Sequence, residues 1–142
     1  MANVTAVQTL EDGPRNVVLK MTGLLDGSAD ISGVTLVDPA TLGVLQPGRP
    51  GSPKATKLYL TEVDFMIQDA LAVDLYWDAT TPVLIDSLTG RGGNDYRRFG
   101  GLSNNAGAGV NGKITVTSVG ATGGAAKQFT IIAYCTKTGA QD

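Results

Sequence analysis

Along much of this chain apolar and polar side chains exchange places at every second residue, over stretches of strand length. From Arg15 to Leu24, Val17, Leu19 and Met21 alternate with Val18, Lys20 and Thr22, the period of a strand with one face buried. Leu71 to Asp78 is cleaner still. Leu71, Val73, Leu75 and Trp77 point one way and Ala72, Asp74, Tyr76 and Asp78 the other, which places Trp77 in the core. Lys57 to Ile67 carries apolar side chains in both phases, Tyr59, Val63 and Phe65 on one face and Leu58, Leu60 and Met66 on the other, and so predicts a strand partly covered on both sides. Further β-branched runs predict strands over Ile31 to Val37, Pro82 to Leu88, Lys113 to Val119 and Gln128 to Thr136, while Val4 to Leu10 reads as a first strand or an extended arm.

Turn chemistry separates these runs. Glu11-Asp12-Gly13-Pro14, Asp26-Gly27-Ser28, Asp38-Pro39 and Gly120-Ala121-Thr122-Gly123-Gly124 each favour a reversal. Pro47 to Lys54, with Pro47, Pro50 and Pro53 and two glycines, sustains neither a helix nor an internal strand and predicts an exposed loop. A second loop is expected from Thr89 to Asn111, which holds Gly90, Gly92, Gly93, Gly100, Gly101, Gly107 and Gly109. Short strands at roughly 8–12-residue spacing, without a helical stripe, predict an all-β fold, a β-sandwich or barrel. A jelly-roll-like sandwich with long Gly/Pro-rich loops is favoured, although the pattern alone does not separate it from an immunoglobulin-like arrangement. Residues 1–142 are expected to form one domain, with 1–14 able to act as an extended N-terminal arm.

Composition sharpens this picture. The 19 glycines among 142 residues are about twice the usual share of roughly 7%, and their spread between β-branched runs marks turns. A chain of this length buries roughly 68–70% of its unfolded surface, so it needs no metal or disulfide to fold. The 11 Lys and Arg against 13 Asp and Glu give a net charge of −2, which argues against a nucleic-acid partner, since phosphates ask for a clustered positive surface. Arg91, Arg97 and Arg98 are too few to make one. The single cysteine, Cys135, lies in an apolar strand pattern and reads as a small buried hydrophobe. No basic leader or apolar stretch of membrane-spanning length occurs, so a soluble protein made in the cytoplasm, with no membrane partner, is expected.

Candidate chemistry is sparse. The absence of histidine removes Ser-His-Asp and Cys-His arrangements and imidazole metal sites. Catalysis would rest on Asp64, Asp69, Asp74, Asp78 and Asp86. Asp74 and Asp78 share a strand face about 13 Å apart, beyond the roughly 5–9.5 Å of paired glycosidase carboxylates. Gly107-Ala108-Gly109-Val110-Asn111-Gly112-Lys113 imitates a phosphate-binding loop, but Ile114 replaces the hydroxyl residue and the β-branched residues that follow open a strand where the motif requires a helix. No catalytic, cofactor-binding or metal-ligating residue is therefore expected, and the chain reads as a non-enzyme. Tyr59, Tyr76, Trp77, Tyr96 and Tyr134 offer the alternative of a carbohydrate-binding β-sandwich module, against the simpler reading of core and rim aromatics.

From Lys57 onward the sequence resembles the capsid decoration, or cement, proteins of tailed bacteriophages. The residues that carry the resemblance are Lys57-Leu58-Tyr59-Leu60, Val73-Asp74-Leu75-Tyr76-Trp77-Asp78-Ala79, Ile85-Asp86-Ser87-Leu88-Thr89-Gly90-Arg91-Gly92, Phe99-Gly100-Gly101-Leu102, Asn111-Gly112-Lys113-Ile114-Thr115-Val116-Thr117 and Ala133-Tyr134-Cys135-Thr136-Lys137. The resemblance implies a jelly-roll-like sandwich on the exterior of an icosahedral head, bridging subunits of the major capsid protein as a homo-oligomer, a dimer or trimer. The segments it points to for docking are Ala2 to Leu10, Pro47 to Lys54 and Gly90 to Gly109.

Overall fold

The computed structural model describes residues 3–43, 48–51 and 56–138. Its strands are β1 (Val4–Asp12), β2 (Asn16–Leu25), β3 (Val34–Val37), β4 (Lys57–Ile67), β5 (Ala72–Trp77), β6 (Val83–Thr89), β7 (Arg91–Asp95), β8 (Ile114–Val119) and β9 (Lys127–Thr138). Short 3-10 turns occur at Pro39–Thr41 and Arg97–Phe99. The strands form two antiparallel sheets, one of five in the order β1-β2-β9-β4-β7 and one of four in the order β3-β8-β5-β6. The all-β sandwich predicted by the two-residue alternation is the fold that forms.

The alternating positions meet between the sheets. Val17, Leu19, Met21 and Leu25 of β2, Leu58, Leu60 and Val63 of β4 and Ile131, Ala133 and Cys135 of β9 lie in one buried cluster with Val73, Leu75 and Trp77 of β5 and Ile114 and Val116 of β8. Each fully buried large side chain contributes roughly 1.5–3 kcal/mol through lost apolar exposure. Gly23 occupies an inward position of β2 opposite Phe129, and a Cβ there would stand 2.2 Å from Cε1 of that ring. The glycine is what lets the aromatic ring lie across the sheet. Trp77 is buried, as its phase on β5 predicts.

The pairing is nested. β5 pairs with β6, β4 with β7, β3 with β8 and β2 with β9, so that each pair encloses the previous one in sequence. Further pairings of β4 with β9 and β5 with β8 join these into the two sheets. β2 to β9 thus pair completely among themselves, and β1 is added outside them, against β2.

Three expectations are corrected. The stretch from Thr89 to Asn111 is not loop throughout, because Arg91–Asp95 forms β7 against the open edge of β4 and Leu102 bridges to Leu60. Backbone pairing needs no apolar period, and Gly92 and Gly93 lie opposite Phe65 and Asp64, where a Cβ on Gly93 would stand 2.5 Å from Asp64 Oδ1. The faces of β4 are not those of strict alternation. A register shift between Leu60 and Glu62 in the pairing with β9 inserts Thr61 as an extra residue, so Leu58 and Leu60 are buried together with Val63 and Ile67, while Met66 is exposed. The strand expected from Ile31 begins only at Val34, after Gly33 turns into the left-handed region. Of the proline-rich stretch, Gly48–Gly51 forms turns and bends, and Pro47 and Ser52 to Lys54 lie outside the described residues.

Candidate functional site

β1, Val-Thr-Ala-Val-Gln-Thr-Leu-Glu-Asp, is the strand least engaged with the core. Its register against β2 sets Thr5, Val7 and Thr9 opposite the inward residues Gly23, Met21 and Leu19, so these three side chains lie on the core side of the sheet. They find little to pack on. The neighbouring edge strand of the other sheet, β3, makes its cross-sheet contacts with β2. Apart from half-buried Thr5, every residue of β1 is exposed, including Val4 at 56%, Val7 at 42% and Leu10 at 47%.

Both ends of β1 are nevertheless fixed. At its start Asn3 Nδ2 donates to the Ala29 carbonyl at 2.9 Å, and the Asp26 amide donates to Asn3 Oδ1 at 2.9 Å. At its end Lys137 Nζ, on a side chain with no exposed surface, meets Asp12 Oδ1 at 2.6 Å and the Gly43 carbonyl at 2.9 Å. The Gly43 amide donates to Asp12 Oδ2 at 2.8 Å. Lys137 projects inward like Cys135 before it, so its ammonium needs a carboxylate at that end of the sandwich, and β1 supplies it. Of the two forms expected for Val4 to Leu10, strand or extended arm, the strand is therefore the one present. Ala2 lies outside the described residues.

The acidic residues singled out in the sequence are dispersed. Asp74 Oδ1 accepts from Ser87 Oγ at 2.6 Å, and Asp78 Oδ2 accepts from Asn111 Nδ2 at 2.8 Å. Asp69 is exposed beside the β4–β5 turn, and Asp64 lies on β4 against Tyr134. Asp86 Oδ2 accepts from Asn94 Nδ2 at 2.7 Å and from the Tyr96 hydroxyl. Burial, reinforced by the bond to Asp86, pushes the Tyr96 phenol well above its usual range. These bonds tie β6, the edge of one sheet, to β7, the edge of the other. Beyond them Arg97 forks onto Asp95 at 2.8 and 2.9 Å and holds that exposed carboxyl down at about 2. Among the described residues no group of three or more His, Cys, Asp or Glu could hold a metal ion.

The segment that imitates a phosphate loop has a structural explanation. Gly109 and Gly112 have φ of +83° and +82°, and a Cβ on them would stand 2.2 Å from Thr80 Oγ1 and 2.3 Å from the Thr56 carbonyl oxygen. The segment leads into β8, a strand, so no helix N-terminus faces a phosphate there. Of the aromatics, Trp77 and Phe129 are buried, and Tyr59, Tyr76, Tyr96 and Tyr134 are half-buried. Near the β4–β5 turn an open groove of about 440 Å³ runs between Met66, Gln68, Asp69, Arg91 and Gln128. Among the described residues no helix is long and apolar enough to cross a membrane. Comparison with family models, curated proteins and solved structures gives no match.

Proposed function

We propose that this chain is a structural virion protein, a decoration or cement protein that docks on the outside of a tailed-phage head and stabilises the coat lattice, with the major capsid protein as its partner and a homo-oligomer as its working form. The observation that carries the reading is the nested pairing of β2 to β9, which supports assigning the sandwich to the jelly-roll class that the resemblance from Lys57 onward implies. The acids best able to do chemistry are spread over the surface, and their hydrogen bonds hold turns and sheet edges in place. In this reading the exterior does the work. Glycine-rich Gly90 to Gly109, with Arg91, Arg97 and Arg98 exposed, presents charge and backbone to the coat, and many weak copies on one lattice supply avidity that a single contact lacks.

The test is co-sedimentation of the purified chain with expanded heads assembled from the coat protein encoded in the same genome. Saturable binding at a fixed ratio to coat subunits, together with a higher temperature of head disruption, is the expected result. Free chain left entirely in the supernatant at physiological salt would overturn the proposal.

A further inference from the structure

Four strands end the two sheets, and three of them are protected as edges. β3 has 4 residues, β7 has 5 with charges at both ends, and β6 carries Asp86 and a register shift beside Tyr76. β1 differs. It has 9 residues, it is uncharged from Val4 to Leu10, and it pairs only with β2 among the described strands, so its other backbone edge is a row of donors and acceptors facing outward. It is also held taut at both ends, by Asn3 and by the Asp12–Lys137 pair, so little ordering entropy is left to lose when a partner strand arrives.

The sequence of this edge says which strand fits. Around Val7 it is nearly a palindrome, Val-Thr-Ala-Val-Gln-Thr-Leu. Laid antiparallel on itself with Val7 opposite Val7, it sets Thr5 opposite Thr9, Ala6 opposite Gln8 and Val4 opposite Leu10. Threonine pairs and β-branched pairs directly across a ladder are favourable. The first acid, Glu11, then falls opposite Asn3, so the acidic ends of the two strands lie apart and no like charges meet. The register shift between Thr9 and Glu11 bounds the regular ladder on the side away from Val4 and leaves Thr5 to Thr9 centred on Val7.

We infer that β1 is a two-fold self-association edge: two copies of this chain join β1 to β1 in antiparallel register centred on Val7, making one continuous ten-stranded sheet from two five-stranded ones. A two-fold contact uses the same patch on both copies, as a self-complementary strand requires. A ladder of this length is smaller than the roughly 800 Å² per partner of a standard stable interface, so dissociation is expected at micromolar concentrations. The pairing needs only a second copy and stands whether or not the chain docks on a capsid. If it does dock, β1 is occupied by its twin, and the glycine-rich segment remains for the coat.

The experiment is sedimentation equilibrium of the purified chain alone, from about 1 µM to about 1 mM. Monomer–dimer exchange is expected for the native chain. Val7→Lys and Val7→Glu each set like charges face to face on the two-fold axis and should weaken the dimer at least about tenfold, and mixing the two variants should restore it. Because Val7 is outside the core, both should melt within a few degrees of the native chain, which separates loss of pairing from loss of folding. Register is read by oxidation: Val7→Cys should cross-link to itself, whereas Ala6→Cys should cross-link efficiently only with Gln8→Cys. A chain that is monomeric throughout, a dimer or higher oligomer indifferent to Val7→Lys, or cross-linking that ignores the register would each overturn the inference.

Discussion

At the scale of single residues the least expected feature is an ammonium inside the sandwich. Lys137 continues the inward phase of Phe129, Ile131, Ala133 and Cys135, so the alternation of β9 already places a cation at a core position, and the sequence signals that an acid must come to meet it. Which acid does so was not legible, because the contact spans the chain from residue 12 to residue 137. Asp12→Asn removes the carboxylate and leaves the buried charge with neutral partners, for an expected loss of about 1–3 kcal/mol in denaturant unfolding, Asp12 being itself partly exposed. Adding Lys137→Met to that variant should recover part of the loss, since an apolar side chain then occupies the site. The thiol of Cys135 behaves in the opposite sense. Burial pushes it from 9.0 up to about 12, so the folded chain keeps a proton that the unfolded chain gives up in between. The stability this brings is complete below about pH 9 and declines as pH rises toward 12, and the raised phenol of Tyr96 acts in the same direction. Urea midpoints measured across this range should fall with pH, and less steeply for Cys135→Ala, while a thiol reagent at pH 8 should label Cys135 only after unfolding.

At the scale of elements, strands whose side chains alternate without interruption could be read directly, and those whose backbone breaks the count could not. β2 and β5 have the faces their sequences predict. In β4 the extra residue Thr61 shifts the phase, so Tyr59 and Val63, which strict alternation puts together, face opposite ways. A bulge depends on the partner strand, and nothing local to Thr61 marks it. β7 escapes for a related reason: Arg-Gly-Gly-Asn-Asp has the composition of a turn and becomes a strand because β4 offers it an unpaired edge. Gly23 shows the converse, a residue that weakens a strand in isolation and is required by its neighbour. Gly23→Val should drive the Phe129 ring from its place and cost on the order of 1–3 kcal/mol, seen as a lower melting temperature and altered near-ultraviolet ellipticity.

At the scale of the whole molecule, the class of fold followed from strand number, spacing and turn chemistry, and the sheet order did not, because periodicity states which face of a strand is buried and not which strand lies beside it. The same limit applies to the surface proposed to work. Val4 to Leu10 stood out as strand or arm, but its exposure on both faces follows from its place as the outermost strand of the larger sheet, which no local pattern states. The nested order brings one further consequence. β9, made last of the nine, lies between β2 and β4 in the middle of its sheet, so until it emerges from the ribosome the strands on either side of it have no common neighbour. Closure of the five-stranded sheet therefore waits for β9. Chains stalled at Gly124 leave β2 and β4 without the strand between them and should be digested by protease far more readily than chains that include β9.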